Sequence, residues 1–220
     1  MPTSLLGFVQ PLFERSDRAT IAPTLQPLRA VRLHVIDHQW LARVRRVISP
    51  NADERPSGAE IELVVIHCIS LPPGEFGTGM VEKLFTNTLT ESVEWHADPR
   101  LHDLQGIEVS SHLFIDRKGR ATQFVPFHQR AWHAGASSWR GRARCNDFSI
   151  GIELEGTEER LYTAAQYRRL GSVIRALFVS YPRLGLDSLV GHSEIAPQRK
   201  TDPGPSFDWS RLFANACLSK

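Results

Sequence analysis

The sequence predicts an α/β fold in which a single mixed β-sheet is flanked by helices. Three observations carry that expectation. Ile61-Glu62-Leu63-Val64-Val65-Ile66-His67 is β-branched and almost wholly apolar, the pattern of a central strand buried on both faces. Phe148 to Glu155 alternates, with Ile150, Ile152 and Leu154 on one side and Ser149, Gly151, Glu153 and Glu155 on the other. Thr163-x-x-Gln166 opens a helix with a capping box, and Tyr167, Leu170, Ile174, Leu177 and Tyr181 form its apolar stripe up to Pro182. Strands and helices alternate without an internal repeat, which argues for one sheet with helices on its faces.

Composition narrows the function classes. A chain of 220 residues is long enough to bury about 70% of its unfolded surface, so no disulfide staple is needed. Its 26 basic and 24 acidic residues leave a net charge of +2, and the basic residues are scattered among acids, which gives no footprint for nucleic acid. Cys68, Cys145 and Cys217 are odd in number and share no metal-type spacing, so they read as free thiols of a reducing compartment. No run of about 18 apolar residues is present to span a membrane. The apolar stretch Leu5-Leu6-Gly7-Phe8-Val9 lacks the basic residue that precedes a secretory core. The expectation is a cytoplasmic, soluble protein with no obligate protein partner.

Residues 1–36 carry Pro2, Pro11, Pro23 and Pro27 and little periodicity, and read as an N-terminal extension; residues 37–220 read as the compact domain. Trp40, Leu41, Val44 and Val47 are spaced as one helical face with Asp37 as N-cap. His67 closes the first strand and fits either a ligand or a satisfied core histidine, while Cys68 faces the other way as a small hydrophobe. Ser70 to Gln105 is a connection long enough to suggest function. Met80, Val81, Leu84, Phe85 and Leu89 mark a short helix within it, and its apolar side chains suit a mobile cleft wall. Ser110 to Val125 is a hairpin turning at Asp116-Arg117-Lys118-Gly119-Arg120, with His112 in mid-strand as a ligand or a core residue. The arginines at 140, 142 and 144 follow in a loop; they suit substrate carboxylates or plain solvation. The small residues at 149 and 151 leave room above Glu153, as a cleft needs.

The stretch from Gly191 to Pro205 carries the clearest chemistry. Leu186 to Val190 is a last short strand that delivers His192, and Asp202 lies ten positions on. Imidazole and carboxylate are both ligands that zinc accepts, and a catalytic zinc takes three protein ligands and keeps a fourth position open. Pro203 biases Asp202 toward extended backbone, which sets Lys200 on the same side. The same residues also fit a surface ion pair beside an ordinary loop histidine.

These pieces, together with Trp132-His133-Ala134-Gly135 and Asn146-x-x-Ser149-Ile150-Gly151-Ile152-Glu153-Leu154, resemble the zinc-dependent N-acetylmuramoyl-L-alanine amidases of the type-2 family. The resemblance runs in order through roughly residues 37–213. It is nearest to the cytosolic branch acting on 1,6-anhydro-muropeptides, through Ile69 to Gly77 and Arg144-Cys145-Asn146-Asp147-Phe148. It implies the type-2 amidase or peptidoglycan-recognition fold, with His67, His192 and Asp202 binding zinc, Glu153 handling protons and Lys200 stabilising the oxyanion. It also implies that Trp132, His133 and Arg144 line the muropeptide cleft. Cys68 departs from the family, where a polar residue is expected.

The chemistry so implied is coherent. Two neutral imidazoles and a carboxylate leave zinc its open position, and such a site activates water at neutral pH. The competing classes are a zinc-free recognition module on the same fold, an exported wall-lytic enzyme and a metal-regulated structural protein. The first loses a metal ligand, the second needs a signal peptide, and the third has no use for Glu153 beside the ligands.

Overall fold

The computed structural model describes residues 36–217. The reading of residues 1–36 as an extension therefore lies, apart from Ile36, outside the described residues. Six strands build the central sheet and are numbered here in chain order: β1 (Arg45–Arg46), β2 (Leu63–Ile69), β3 (Leu113–Ile115), β4 (Ala121–Gln123), β5 (Ser149–Glu155) and β6 (Leu189–Gly191). Their spatial order is β6-β2-β5-β3-β4-β1. Only β3 and β4 run antiparallel, and every other neighbouring pair is parallel, so the sheet is mixed as expected.

The most apolar strand, β2, lies between β5 and β6, and Leu63, Val64, Val65 and Ile66 have no exposure at all. Alternation along β2 and β5 divides the two faces. Val64 and Ile66 join Ile150, Ile152 and Leu154 in the main core beneath the helices Ala164–Ser180 and Trp209–Ala216. Leu63 and Val65 face the other way, against Ala134, Phe148, Val190 and Ile195. Cys68 packs on the helix side with the main core, as its strand position requires. Thr163 caps the long helix in a capping box with Gln166. The Gln166 side chain is fully buried and also donates to Glu155 O at 2.9 Å, tying the helix start to the end of β5.

Two expectations are corrected. Residues 37–47 are not helical: Ile36–Asp37 pairs with Trp40–Leu41, and Arg45–Arg46 joins the sheet edge. Positive φ at His38, Gln39 and Arg43 excludes a continuous helix. The helix-like spacing is overridden by distant partners, since the buried Gln123 amide accepts from Leu41 N at 2.8 Å and donates to Gln39 O at 3.1 Å. In the long connection after β2 the expected helix is present, but its apolar side chains are not offered to a cleft. The connection folds into helices at Met80–Phe85 and Val93–Ala97 with 3₁₀ turns beside each. Leu71, Met80, Val81, Leu84, Phe85, Leu89, Trp95 and Leu101 turn inward to a separate apolar cluster with Phe124 and Val125. Burying each such side chain contributes roughly 1.5–3 kcal/mol, which outweighs leaving it for a ligand.

Candidate active site

His67, two residues before the end of β2, projects from the face opposite the long helix. Parallel pairing places Glu153 of β5 directly beside it. His192 follows β6 at the start of a short helix, His192–Ile195, whose Gly191 N–H is capped by Glu194. Asp202 returns on a loop packed against the same point, where Ser193 N donates to Asp202 O at 3.0 Å. Gly191 makes this approach possible: a Cβ there would lie 2.8 Å from Pro203 Cδ.

The three side chains converge. His67 Nδ1 lies 3.0 Å from His192 Nδ1 and 3.0 Å from Asp202 Oδ2, and His192 Nδ1 lies 3.2 Å from the same oxygen. All three residues are buried, and among the described residues they form the one cluster of this kind that could hold a metal ion. Tetrahedral zinc with bonds of about 2.0–2.2 Å spaces its ligand atoms roughly 3.3 Å apart, so the triangle fits such an ion. The chemistry of the set agrees. Burial lowers His67 to a pKa of about 4 against the opposing pull of Asp202, so its imidazole is neutral at neutral pH. Burial alone would raise Asp202, but contacts with His192 and then His67 outweigh it and hold the carboxyl well below the usual range.

Glu153 is poised next to this set. Its Oε2 is buried without a hydrogen-bond partner. Burial first, and then the charge of Asp202, raise its carboxyl well above the ordinary value, while Lys200 pulls it back. Lys200 also lowers His67 through its charge, so the ammonium acts on the same space. A buried, unsatisfied carboxyl with a raised pKa beside a metal-type triad is a candidate for proton transfer. Glu155, the next residue on this face, is spent structurally: it accepts from Gly77 N and Arg117 N.

Residues 57–205 match the family described as N-acetylmuramoyl-L-alanine amidase. The chain belongs to the N-acetylmuramoyl-L-alanine amidase family. Among curated amidases, 1,6-anhydro-N-acetylmuramyl-L-alanine amidase AmpD of Citrobacter freundii is 52% identical over 180 residues, which span 82% of this chain and 94% of that protein. A crystal structure of a selenomethionine AmpD derivative superposes with a TM-score of 0.78 at 50% identity, covering 84% of this chain and 99% of that one. The N-acetylmuramyl-L-alanine amidase AmiD from E. coli, solved with anhydro-N-acetylmuramic acid-L-Ala-D-gamma-Glu-L-Lys, superposes with a TM-score of 0.52 at 30% identity, covering 76% of this chain and 62% of that one.

The other residues that the sequence predicted for the site of this amidase are spread more widely. Trp132 hydrogen-bonds Asp53, whose carboxyl is held low first by its bond to Arg130, with Trp132 and the charge of Arg144 adding to it. Arg144 is largely exposed and pairs with Asp147 at 3.1 Å. His133 has a different neighbourhood from an open cleft wall. Its Nδ1 lies 3.0 Å from His67 Nε2, and its Nε2 lies 3.1 Å from Ser149 Oγ. The room expected above β5 is therefore filled: a Cβ on Gly151 would lie 2.4 Å from His133 Cγ. His112 takes the core role, accepting from Gly151 N at Nδ1 and contacting Gln129 O at Nε2. Sequence reasoning passed over Arg55, which donates to the carbonyls of Phe127, Asn146, Asp147 and Ser149 and so pins the start of β5. It also passed over Arg199, which donates to Ala134 O and Ala136 O. Both act on backbone carbonyls, a role that leaves no spacing signal.

Proposed function

We propose that this amidase hydrolyses the amide bond between the N-acetylmuramyl lactyl group and L-alanine of 1,6-anhydro-muropeptides, with zinc held by His67, His192 and Asp202. The observation that carries the reading is the convergence of those three ligand atoms beside the unpartnered Glu153 Oε2. Similarity to AmpD over nearly the whole of that protein supports the substrate, and peptidoglycan recycling in the cytoplasm is the setting that goes with it.

Zinc bound there would supply a Lewis acid for the scissile carbonyl and lower the pKa of water to about 7. Glu153 takes the proton of the attacking water as the new C–O bond forms. It returns that proton to the L-alanine nitrogen as the C–N bond breaks, leaving a lactyl carboxylate and a free amine. Lys200 balances the negative charge that develops on the carbonyl oxygen. Trp132 and Arg144 hold the muropeptide outside this centre, and His133 adjoins it. Residues 37–220 are the catalytic domain in this reading, with residues 1–36 appended.

The deciding experiment incubates the purified chain with an anhydro-muropeptide, with and without chelator, and reads products by mass spectrometry. The expected products are the anhydro-sugar acid and the free stem peptide, lost with chelator and restored by zinc. Chelator-insensitive cleavage would remove the metal from the mechanism. Equal or faster turnover of intact murein sacculi would favour a wall-lytic enzyme.

A further inference from the structure

One short segment, His133-Ala134, touches the rear nitrogen of both candidate imidazole ligands. His67 Nε2 lies 3.0 Å from His133 Nδ1, and His192 Nε2 lies 3.2 Å from Ala134 O. The segment is itself held by the Asn146 side chain, whose Oδ1 accepts from His133 N at 3.2 Å and from Ala134 N at 2.8 Å. Arg199 Nη2 donates to the same Ala134 carbonyl at 2.7 Å, which the two lone pairs of that oxygen allow. Gly151 clears the floor for the His133 ring, since any Cβ there would strike it. Two residues from one turn, clamped by one amide, thus reach two ligands that lie 125 positions apart in sequence.

We propose that this segment orients both imidazoles of the metal site, and that His133 is the positioning residue for His67. The inference rests on the zinc reading above. A neutral imidazole that ligates through Nδ1 carries its proton on Nε2 and needs an acceptor there. For His192 the acceptor is the Ala134 carbonyl, which can only accept. For His67 it is His133 Nδ1, which accepts only when the His133 proton is on Nε2, and Ser149 Oγ is placed to receive that proton at 3.1 Å. Ser149 thereby selects the His133 tautomer, and His133 selects the His67 tautomer.

The test is zinc affinity of the full chain, measured by chelator competition for wild type, His133→Phe, His133→Gln and Ser149→Ala. Losing such a partner costs about 10–100-fold in metal affinity, so His133→Phe is expected to fall in that range. His133→Gln, which offers an amide oxygen as acceptor, is expected to recover part of it, and Ser149→Ala, which leaves the ring in place, to lose less than the phenylalanine variant. Nitrogen-15 spectra of the zinc-loaded wild type are expected to show His67 protonated at Nε2. Wild-type zinc affinity in folded His133→Phe overturns the proposal, as does a His67 ring protonated at Nδ1 in the zinc-loaded wild type. A wild-type chain that takes up no zinc overturns the metal reading instead, and shows this before any variant is compared.

Discussion

Glu153 and His67 are register partners on adjacent parallel strands, β5 and β2. Partners in register project from the same face of a sheet, so strand pairing alone sets the candidate base beside the candidate ligand. A shift of one residue would turn Glu153 into the helix-side core and bring Leu154 to the site. The register is held by both faces at once, because Ile150, Ile152 and Leu154 must be buried for Ser149, Gly151 and Glu153 to face the candidate metal ligands.

Glu153→Gln is expected to keep zinc and lose about 10²–10⁴ in turnover, the usual cost of removing a general base. It should also stabilise the metal-free protein at pH 7. The folded-state pKa of Glu153 is raised, so the native state resists losing this proton more than the unfolded chain does, and stability falls as pH rises above about 4.5. Removing the charge removes that cost. Metal analysis, steady-state rates and urea unfolding with chelator check the three parts. Loss of zinc would make Glu153 a ligand or a ligand's support.

Lys200→Ala should leave zinc content unchanged and remove about 2.7–4 kcal/mol of transition-state stabilisation, as loss of an oxyanion donor does. Combined with Glu153→Gln, the losses should be less than additive, because both groups act on one transition state. Fully additive rates in the double-mutant cycle would assign them to separate steps.

His192→Ala and Asp202→Ala are each expected to lose bound zinc and activity together. The metal is predicted at one ion per chain, read by elemental analysis. Full zinc and full activity in His192→Ala would move the metal elsewhere.

Metal-free protein is expected to lose stability as pH falls from about 7 to 5. Burial holds His112 and His133 well below their ordinary value, and His67 at about 4. The unfolded chain takes up those protons near pH 6.5 while the folded chain does not, so the unfolded state gains as pH falls. Glu153 works in the opposite sense, but with one proton against three. Urea midpoints with chelator at pH 7.5, 6.5 and 5.5 should fall in that order, and a flat series would mean that the histidines are accessible to protons.

A chain beginning at residue 37 is predicted to retain zinc and turnover. It forfeits the pairing of Ile36 with Leu41, so a small drop in thermal midpoint is expected. Failure to fold would show that the preceding residues are part of the domain.

By itself the sequence determined the elements whose signal is local. The apolar run into His67, the alternation from Ser149 to Glu155, the capping box at Thr163 and the hairpin around Gly119 all stand in the structure. Each follows from side chains within a few positions of one another, and the motifs they carry sufficed to place the chain among the N-acetylmuramoyl-L-alanine amidases. Tertiary structure alone decided what depends on distant partners. Residues 37–47 follow the buried Gln123 amide rather than their own helical spacing. His133, legible only as part of a motif, lies behind His67, where Gly151 leaves room for its ring. Periodicity reports which face of an element is apolar, but which neighbour meets that face is set by sheet register and by hydrogen bonds that close across most of the chain.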